Sequence, residues 1–318
     1  HSAKILMSYL RFDKATASER ELLALLRASA WAKELSSEEF AKRNQRLYSH
    51  QFGSERIDTF VIRNLENKIV TSMDVLRVKF FFKAGPKASI SVKEGFLIAS
   101  VFTAPQHRRK GYAALMMSRF FEQQKWDLGV LYSDIGPKFY EKWGFQKTHR
   151  FLCEMGGPFP KNQLTINPIE PKAWVDKVFD LRKSNFDSDP KGQMALVPDV
   201  DFLDWHLERF RFFAQLKGRG PLPPTFFELE TSQGRTYFAV VLNAMTQKAE
   251  VLWRDSNSEH SLTAIGQVVE SWGLKEFTFW SPNAQGKVLE EECPMGWFQG
   301  QVKPEPEGFF DPQICDWW

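Results

Sequence analysis

The stretch Phe96-Leu-Ile-Ala-Ser-Val-Phe-Thr-Ala-Pro-Gln-His-Arg-Arg-Lys-Gly-Tyr-Ala-Ala-Leu-Met-Met-Ser-Arg119 predicts a buried strand, a short basic loop and a helix. Residues 96–103 are a short apolar run that is rich in strand formers. Pro105 lacks a backbone N–H, so we expect the strand to end before it. Residues 113–121 are mostly good helix formers, with apolar residues at near-helical spacing, and they predict a helix after the loop.

The loop between these two elements has the composition of an anion-binding turn. The first turn of a helix carries backbone N–H groups without internal partners, and these groups bear the positive end of the helix dipole. Gly111 has no Cβ, so a bulky anion can approach the backbone closely. Arg108, Arg109 and Lys110 add electrostatic attraction. The loop therefore predicts a phosphate cradle, and the alternative is a basic turn on a solvated surface.

This cradle differs from two common phosphate-binding motifs. It lacks the Gly-Lys-Ser/Thr of a Walker loop and the three glycines of a dinucleotide fingerprint. It resembles the pyrophosphate-binding loop of the GNAT superfamily of N-acetyltransferases, in which Arg/Gln-x-x-Gly-x-Gly/Ala follows a strand that ends near a proline. The matching residues are Arg108, Gly111 and Ala113.

A second motif, Leu131-Tyr-Ser-Asp-Ile-Gly-Pro-Lys-Phe-Tyr-Glu-Lys-Trp-Gly-Phe145, follows the predicted helix. Residues 130–133 are predicted to be its strand. Pro137 occupies the position of a first helical residue, and Gly144 that of the residue after a helix. The GNAT family ends this segment in Tyr-x-x-x-Gly-Phe, which residues 140–145 match. Both motifs in this order identify the first half as a GNAT domain.

The resemblance implies an α/β fold, the GNAT acyl-CoA fold, with a mixed, mostly antiparallel sheet flanked by helices. We expect residues 1–160 to form the acetyl-CoA-binding catalytic domain. Gly156-Gly-Pro-Phe-Pro160 is a cluster of breakers at the expected boundary. We expect residues 161–318 to form a second α/β domain that covers one side of the acceptor site.

The second half repeats part of the order of the first. A helix over 262–272 and a strand over 277–280 are predicted after a strand over 250–254, as in the catalytic unit. The intervening Asp255-Ser-Asn-Ser-Glu-His260 stands where the cations would be, and its acids would repel phosphate. We therefore interpret this half as a degenerate, GNAT-like domain without a phosphate loop.

Two capping-box signals, Ser-x-x-Glu at 18–21 and at 36–39, predict two helices near the start of the chain. The second, polar helix is expected to end near Ser49. In GNAT folds these helices flank the acceptor site, so Trp31 and Tyr48 are candidates to line it. The alternative is that both residues belong to the core.

The overall pattern is also similar to the fungal lysine N6-acetyltransferases of lysine catabolism. The resemblance is carried by residues 131–140, by Trp205-His-Leu-Glu-Arg209 and by Val251-Leu-Trp-Arg254. It implies acetyl-CoA and free L-lysine as substrates. The alternatives are a protein, peptide or polyamine N-acetyltransferase, and a non-catalytic coenzyme A-binding interaction module.

The GNAT resemblance also implies roles for individual residues. In that family a backbone N–H of the central strand polarises the acetyl carbonyl, and the matching residues are Val101, Phe102 and Thr103. Backbone N–H groups of the loop hold the pyrophosphate of acetyl-CoA, and the matching residues are Arg108, Arg109, Lys110, Gly111, Tyr112 and Ala113. Tyr140 matches the residue that donates a proton to the departing thiolate; the alternative is a structural tyrosine.

The sequence departs from the family at two positions. Where many members have an Asn that holds the pantetheine arm, this chain has the shorter Ser133, which we retain as a predicted cofactor-binding residue. Many members also carry a Glu on the central strand as general base, and residues 96–105 contain none. The alternatives for the base are Asp134, Glu94, His149 or a chain of waters.

The composition of the chain limits the number of domains, the partners and the location that we expect. The chain has 318 residues, enough for about two domains. Its net charge is only +3, and the sequence shows no strong cluster of basic residues, so we expect no nucleic-acid partner. Cys153, Cys293 and Cys315 lack metal-ligand spacing, and so sparse and odd a set favours a reducing, cytoplasmic location without a bound metal. With no signal peptide visible and no apolar run of roughly 18 residues, we expect no membrane association. The oligomeric state stays open.

Overall fold

The computed structural model describes residues 9–85, 87–133, 135–147, 150–161, 164–189, 193–232, 234–255, 260–281 and 286–298, without the side chains of 290–294, 297 and 298. The elements of the first half are β1 (Arg11–Lys14), α1 (Ala17–Trp31), α2 (Ser37–Ser49), α3 (Gln51–Arg56), β2 (Ile57–Arg63), β3 (Ile69–Phe82), β4 (Ser91–Thr103), α4 (Tyr112–Gln123), β5 (Leu128–Ser133), β6 (Gln146–Lys147) and β7 (Arg150–Gly156). Those of the second half are β8 (Thr165–Pro168), α5 (Pro171–Ser188), β9 (Met194–Leu196), α6 (Val200–Leu216), β10 (Phe226–Thr231), β11 (Gly234–Asn243), β12 (Lys248–Arg254), α7 (Ser261–Ser271), β13 (Glu276–Ser281) and β14 (Lys287–Phe298).

The two halves repeat one sheet topology. In the first, β1, β2, β3 and β4 are antiparallel neighbours, and β5 joins β4 in parallel after the crossover helix α4. In the second, β8, β10, β11 and β12 are antiparallel neighbours, and β13 joins β12 in parallel after α7. The predicted fold, a mixed and mostly antiparallel sheet with flanking helices and a second GNAT-like unit, is therefore confirmed.

The two units exchange their last strands. Beyond β5 the next strand is β14, from the end of the described chain, with residues 293–298 antiparallel to β5. Beyond β13 the next strand is β7, from the first half. Residues 287–292 of β14 also pair with β7, so one continuous path of strands runs through both units. The domain boundary at residue 160 stays a prediction. β14 belongs to the second half of the sequence, but it pairs with β5 in the sheet of the first unit.

The sheet of the first unit carries a different core on each face, because strand side chains alternate. Phe96 and Ile98 of β4 pack with Met116 and Phe120 of α4 on one face. Leu97, on the opposite face, belongs to a cluster that includes residues of α5, α6 and β11. The second half therefore packs directly on the face that α4 leaves open.

The two predicted helix starts had different outcomes. The box at Ser36 and Glu39 is confirmed, and the helix ends at Ser49 as expected. The box predicted at Ser18 is wrong, because Thr16 caps α1 through Glu19, two residues earlier. Glu19 also accepts hydrogen bonds from the Arg63 guanidinium at 2.8 to 3.0 Å, a tertiary contact that favours this earlier start.

Candidate active site

The central strands β4 and β5 separate at the end where the basic loop begins. Their parallel pairing is recorded at Phe96 with Gly129, at Leu97 with Val130 and at Ile98 with Leu131. Beyond this point β4 continues to Thr103 beside β3 only, in the part of the chain that the structure describes. The separation leaves an opening between the two strand ends.

A β-bulge interrupts β4 at this opening. Phe102 faces Ser72 and Ala99 faces Asp74, so two residues, Ser100 and Val101, lie opposite the single residue between them on β3. Ser100 has a φ of 52°, an uncommon value for a residue with a Cβ. A bulge leaves one residue out of the ladder and redirects its backbone groups.

The predicted carbonyl-binding residues occupy different positions relative to this bulge. Val101 is part of it, whereas Phe102 and Thr103 pair with β3 in regular register. Ser100 was missed, because nothing in an apolar strand sequence marks the place of a bulge. The backbone N–H that polarises the carbonyl stays a prediction for Val101, Phe102 and Thr103, with Ser100 added.

None of the described side chains caps the start of α4. Its N-cap is Gly111, in the left-handed region with a φ of 80°, and Arg109 before it has a φ of 61°. The first hydrogen bond of the helix runs from the Leu115 N–H to the Gly111 carbonyl at 2.9 Å. Arg108 turns back, and its Nε donates to the Thr103 carbonyl at 3.1 Å. The first N–H groups of α4 are thus left for an external acceptor, which fits the pyrophosphate of acetyl-CoA.

The tyrosine motif forms a 3₁₀ segment, Pro137–Trp143, instead of the predicted α-helix. Tyr140 is 6% exposed and lies edge-on to Phe139, with ring centroids 4.8 Å apart. Ser133 is buried, and its hydroxyl donates to the Gly136 carbonyl at 2.7 Å. The Ser133 proton therefore holds the turn that leads to Tyr140. The catalytic role of Tyr140 and the cofactor role of Ser133 stay predictions.

The structure narrows the choice of general base. Glu94 is exposed and lies on the other side of the paired segment of β4 from the bulge. The six residues from Glu94 to Ser100 span about 20 Å of strand, too far for proton transfer. Glu94 is therefore wrong as a candidate base. Asp134 and His149 lie outside the described residues.

A pocket of about 560 Å³, its solvent-open mouth included, lies beside the bulge. Ala99 and Ser100 of β4 form one side, and α1 and α2 contribute further walls, including Trp31 and Tyr48. Trp205 of α6 closes it from the second half. Both candidates that the family resemblance placed near an acceptor site thus line this pocket.

A saturated polar network forms the wall of the pocket around Asp74. Its carboxylate accepts hydrogen bonds from Arg27 at 2.7 and 3.4 Å, from the Tyr48 hydroxyl at 2.8 Å and from Thr59 at 2.7 Å. Burial, followed by the Asp74 charge, raises the pKa of Tyr48 well above its usual range. Tyr48 therefore stays neutral, and Asp74 has no acceptor position left for a substrate proton. The residues of this network lie far apart in sequence, so no local sequence motif predicts it.

Helix α6 is fixed to the first half by polar contacts on both sides of the pocket. The Trp205 indole donates to the Leu47 carbonyl at 2.9 Å. Arg46 pairs with Glu208 at 2.6 Å, and His50 contacts Asp204 at 2.9 Å. These contacts hold the Trp205 ring in position as part of the pocket wall.

No group of three or more His, Cys, Asp or Glu that could hold a metal ion is found among the described residues. Cys153 is buried, and its thiol donates to the Phe151 carbonyl at 3.6 Å; Cys315 and the side chain of Cys293 lie outside the described part. No helix within the described residues is long and apolar enough to cross a membrane.

Comparisons with known proteins find one family model that matches the first half of the chain. Residues 11–148 match the family model described as Acetyltransferase (GNAT) domain. A curated relative, the lysine acetyltransferase of Yarrowia lipolytica, is 27% identical over 186 residues. That match covers 41% of this chain and 47% of the relative, so the chain spans about half the length of the curated protein that it matches.

Solved structures resemble the chain across both halves. A GCN5-related N-acetyltransferase from Kribbella flavida has a TM-score of 0.58 and 15% identity, and the match covers 91% of this chain and 72% of that one. A probable N-acyltransferase from Enterococcus faecalis has a TM-score of 0.59 with the same identity and coverage. At such identities the likeness concerns the fold, and it includes the second unit.

Proposed function

Because residues 11–148 form a GNAT acetyltransferase domain, we propose that this protein transfers an acetyl group from acetyl-CoA to a primary amine, most favourably the side-chain amine of free L-lysine. The observation that carries the proposal is the bulge at Ser100, which lies at the opening between β4 and β5 and also lines the pocket between β4, α1 and α2. One backbone segment thus faces both the cofactor side and the acceptor side.

The loop before α4 supplies the binding site for acetyl-CoA in this proposal. The uncapped N–H groups of Tyr112 and Ala113, together with that of Gly111, bind the pyrophosphate. Arg108, Arg109 and Lys110 add charge attraction, partly screened by water. The opening between β4 and β5 gives the acetyl-bearing arm access to the bulge.

The chemistry then needs a neutral amine, a stabilised oxyanion and a protonated thiol. The amine nitrogen bonds to the acetyl carbon as the carbon–sulfur bond breaks, and the bulge N–H stabilises charge on the carbonyl oxygen. Tyr140 donates its proton to sulfur. A lysine amine has a free pKa of about 10.4, and burial next to cations lowers it. Because Asp74 already accepts four hydrogen bonds, we propose that water takes the amine proton.

Two observations support a free amino acid over a protein as the acceptor. Trp205 and the contacts of α6 close one side of the pocket, whereas a protein substrate needs an open groove. The curated relative carries the name lysine acetyltransferase, although the match covers less than half of either chain. With the family resemblance and the sparse cysteines, we place this activity in lysine catabolism in the cytoplasm.

The test is a coenzyme A release assay with the purified chain and acetyl-CoA, across free amino acids, polyamines and lysine-containing peptides, with products identified by mass spectrometry. We expect the highest kcat/KM with L-lysine and an N6-acetyl product. Faster turnover of peptides or polyamines would replace lysine as the substrate. Acetyl-CoA binding without turnover of any amine would favour the non-catalytic coenzyme A binder.

A further inference from the structure

A second arginine of the pocket, Arg43 of α2, differs from Arg27 in having no acidic partner among the described residues. Its side chain is buried and stacks over the Phe40 ring, with the guanidinium carbon 4.4 Å from the ring centroid. Its Nε and Nη2 donate to the Asn44 side-chain oxygen at 3.3 and 3.0 Å. Among the described residues no carboxylate lies within ion-pair distance of it, whereas Arg27 pairs with Asp74 in the same pocket.

The surroundings of Arg43 make its charge costly. Burial and the nearby positive charge of Arg209 lower the pKa of the Arg43 guanidinium to about 9, so it stays charged at neutral pH. Arg209 comes from α6 and has its own partner, Glu250, at 3.8 Å. A buried cation without a counter-ion is unfavourable unless an anion arrives from outside. An anionic group in the pocket would neutralise it.

We propose that Arg43 binds the carboxylate of the acceptor, so that the acceptor is a free amino acid with a second amine at the end of its side chain. This inference rests on the proposed acetyltransferase function and adds the residue that selects the substrate. The carboxylate would receive charge-assisted hydrogen bonds from a planar guanidinium that Phe40 holds from one face.

The other residues that line the pocket have the chemistry that such a molecule requires. Ser100, at the bulge where transfer is proposed, lines the same pocket as Arg43. Side chains of Leu47, Ile57 and Leu76 add apolar wall, which suits the four-carbon stem of lysine. A coenzyme A phosphate does not explain Arg43, because no residue of the phosphate loop lines this pocket.

The first experiment compares acceptors on the unmodified protein. L-lysine, L-lysine amide and 1,5-diaminopentane share the reacting amine and the methylene chain, but only L-lysine has a carboxylate. We expect kcat/KM for L-lysine to exceed that for either analogue by roughly 10- to 100-fold, the usual worth of a hydrogen-bonded charge pair. Equal use of L-lysine and its amide would overturn the proposal without any variant.

The second experiment locates the preference with Arg43→Gln. We expect KM for L-lysine to rise roughly 10- to 100-fold with a much smaller change in kcat, and the loss with 1,5-diaminopentane to be at least tenfold smaller. Arg43→Lys should keep part of the preference, because it keeps the charge. Lys42→Gln is the matched control, because it removes an exposed cation next to Arg43 on α2 that does not line the pocket, and it should leave the preference intact.

The outcomes separate the two proposals. If the unmodified protein acetylates no amine, the proposed function fails. If it acetylates L-lysine and Arg43→Gln lowers turnover of L-lysine and the diamine by the same factor, the function stands and Arg43 is only structural. Calorimetry of L-lysine binding to both proteins gives a readout that does not depend on turnover.

Discussion

The two units of this chain share a topology, and they differ at the point where the first one opens. Both have a bulge in the strand before the crossover helix: at Ser100 in β4, and at Leu252 in β12, where Ala239 faces Trp253 and Val240 faces Val251. In β4 the bulge borders a pocket. In β12 the bulge lies within the core.

Aromatic side chains pack beside the bulge of the second unit. Trp253, next to the bulge, is 2% exposed and meets Trp174 of α5 edge-on, with ring centroids 5.4 Å apart. Trp174 also packs against Phe226. The pocket wall of the first unit has Ala99 and Ser100 at the corresponding bulge. Small residues leave space for a ligand, whereas indole rings replace the ligand with packing.

The crossover helices differ at their first residue as well. The N-cap of α4 is Gly111, in the left-handed conformation, whereas the N-cap of α7 is His260, with right-handed dihedrals. Asp255, just before the segment 256–259 that lies outside the described residues, is buried and accepts a hydrogen bond from Thr236 at 2.9 Å. An acidic residue thus follows β12 where Ala104 follows β4, and the shared fold alone does not give the second unit a phosphate site.

The largest effect is expected from Gly111→Asp. A carboxylate about 4 Å from a phosphate charge costs roughly 4 kcal/mol in a partly solvated site, enough to weaken acetyl-CoA binding about 1,000-fold. Asp tolerates a left-handed φ better than most residues, so the protein should stay folded. Isothermal titration calorimetry measures the loss, and near-normal affinity would remove the cradle assignment.

His260→Asp is its counterpart in the second unit. An acid at a helix N-terminus is stabilising, so folding should be unaffected, and acetyl-CoA affinity should not change. If this variant also lost affinity for acetyl-CoA, both helix starts would contact the cofactor. That result would contradict the claim that only the first unit binds it.

Tyr140→Phe should have the next largest effect. The ring and its packing against Phe139 are kept, so the fold and the acetyl-CoA site should survive. Loss of the proton donor should lower kcat about 100- to 10,000-fold with little change in the KM for acetyl-CoA. The defect should shrink above about pH 8.5, where a free thiolate becomes a stable leaving group.

The matched control is Tyr237→Phe, at a buried tyrosine of the second unit. It should leave kcat unchanged and at most lower the melting temperature. Retention of more than half of the normal kcat by Tyr140→Phe, with chemistry shown to be rate-limiting, would contradict the acid role and leave Tyr140 as a packing residue.

The sequence predicts the catalytic unit well where local chemistry decides the structure. β4 ends at Thr103, as Pro105 requires, and α4 starts beside Gly111 as expected. The capping box at Ser36 lies where it is predicted, and the helix that it starts ends at Ser49 as expected. In each case residues close in sequence supply the determining contact.

Features that depend on distant residues could not be predicted. The Arg27–Asp74 pair joins α1 to β3, and β14, at the end of the described chain, pairs with β5 and β7 from its middle. β14 contains three consecutive glutamates at 290–292 and Pro294, so neither alternation nor composition marks it as a strand. β14 covers an edge of β5 that would otherwise be unpaired, and this explains its position in the sheet.

The smallest effect is expected at the seam between the units, from Glu154→Gln. Glu154 of β7 is buried and contacts Lys248 of β12 at 2.5 Å and Lys287 of β14 at 2.9 Å. Hydrogen bonds from Lys248 and then Lys287 lower the pKa of Glu154. Because the folded-state pKa lies below the unfolded value, the pairing stabilises the fold above that unfolded value and is lost as pH falls through the folded one.

At pH 7 the variant should therefore lose at most about 1 kcal/mol of unfolding free energy, because both lysines are partly exposed. For a chain of this size that corresponds to a fall of roughly 2 °C in Tm. The difference from the unmodified protein should shrink as the pH is lowered below about 4.5. Glu66→Gln, which removes an exposed pair with Lys68 in the first unit, should leave Tm unchanged at every pH. A pH-independent loss in Glu154→Gln would show that the seam is held by packing and not by this carboxylate, and a loss of several kcal/mol would show that the two exchanged strands unfold together with it.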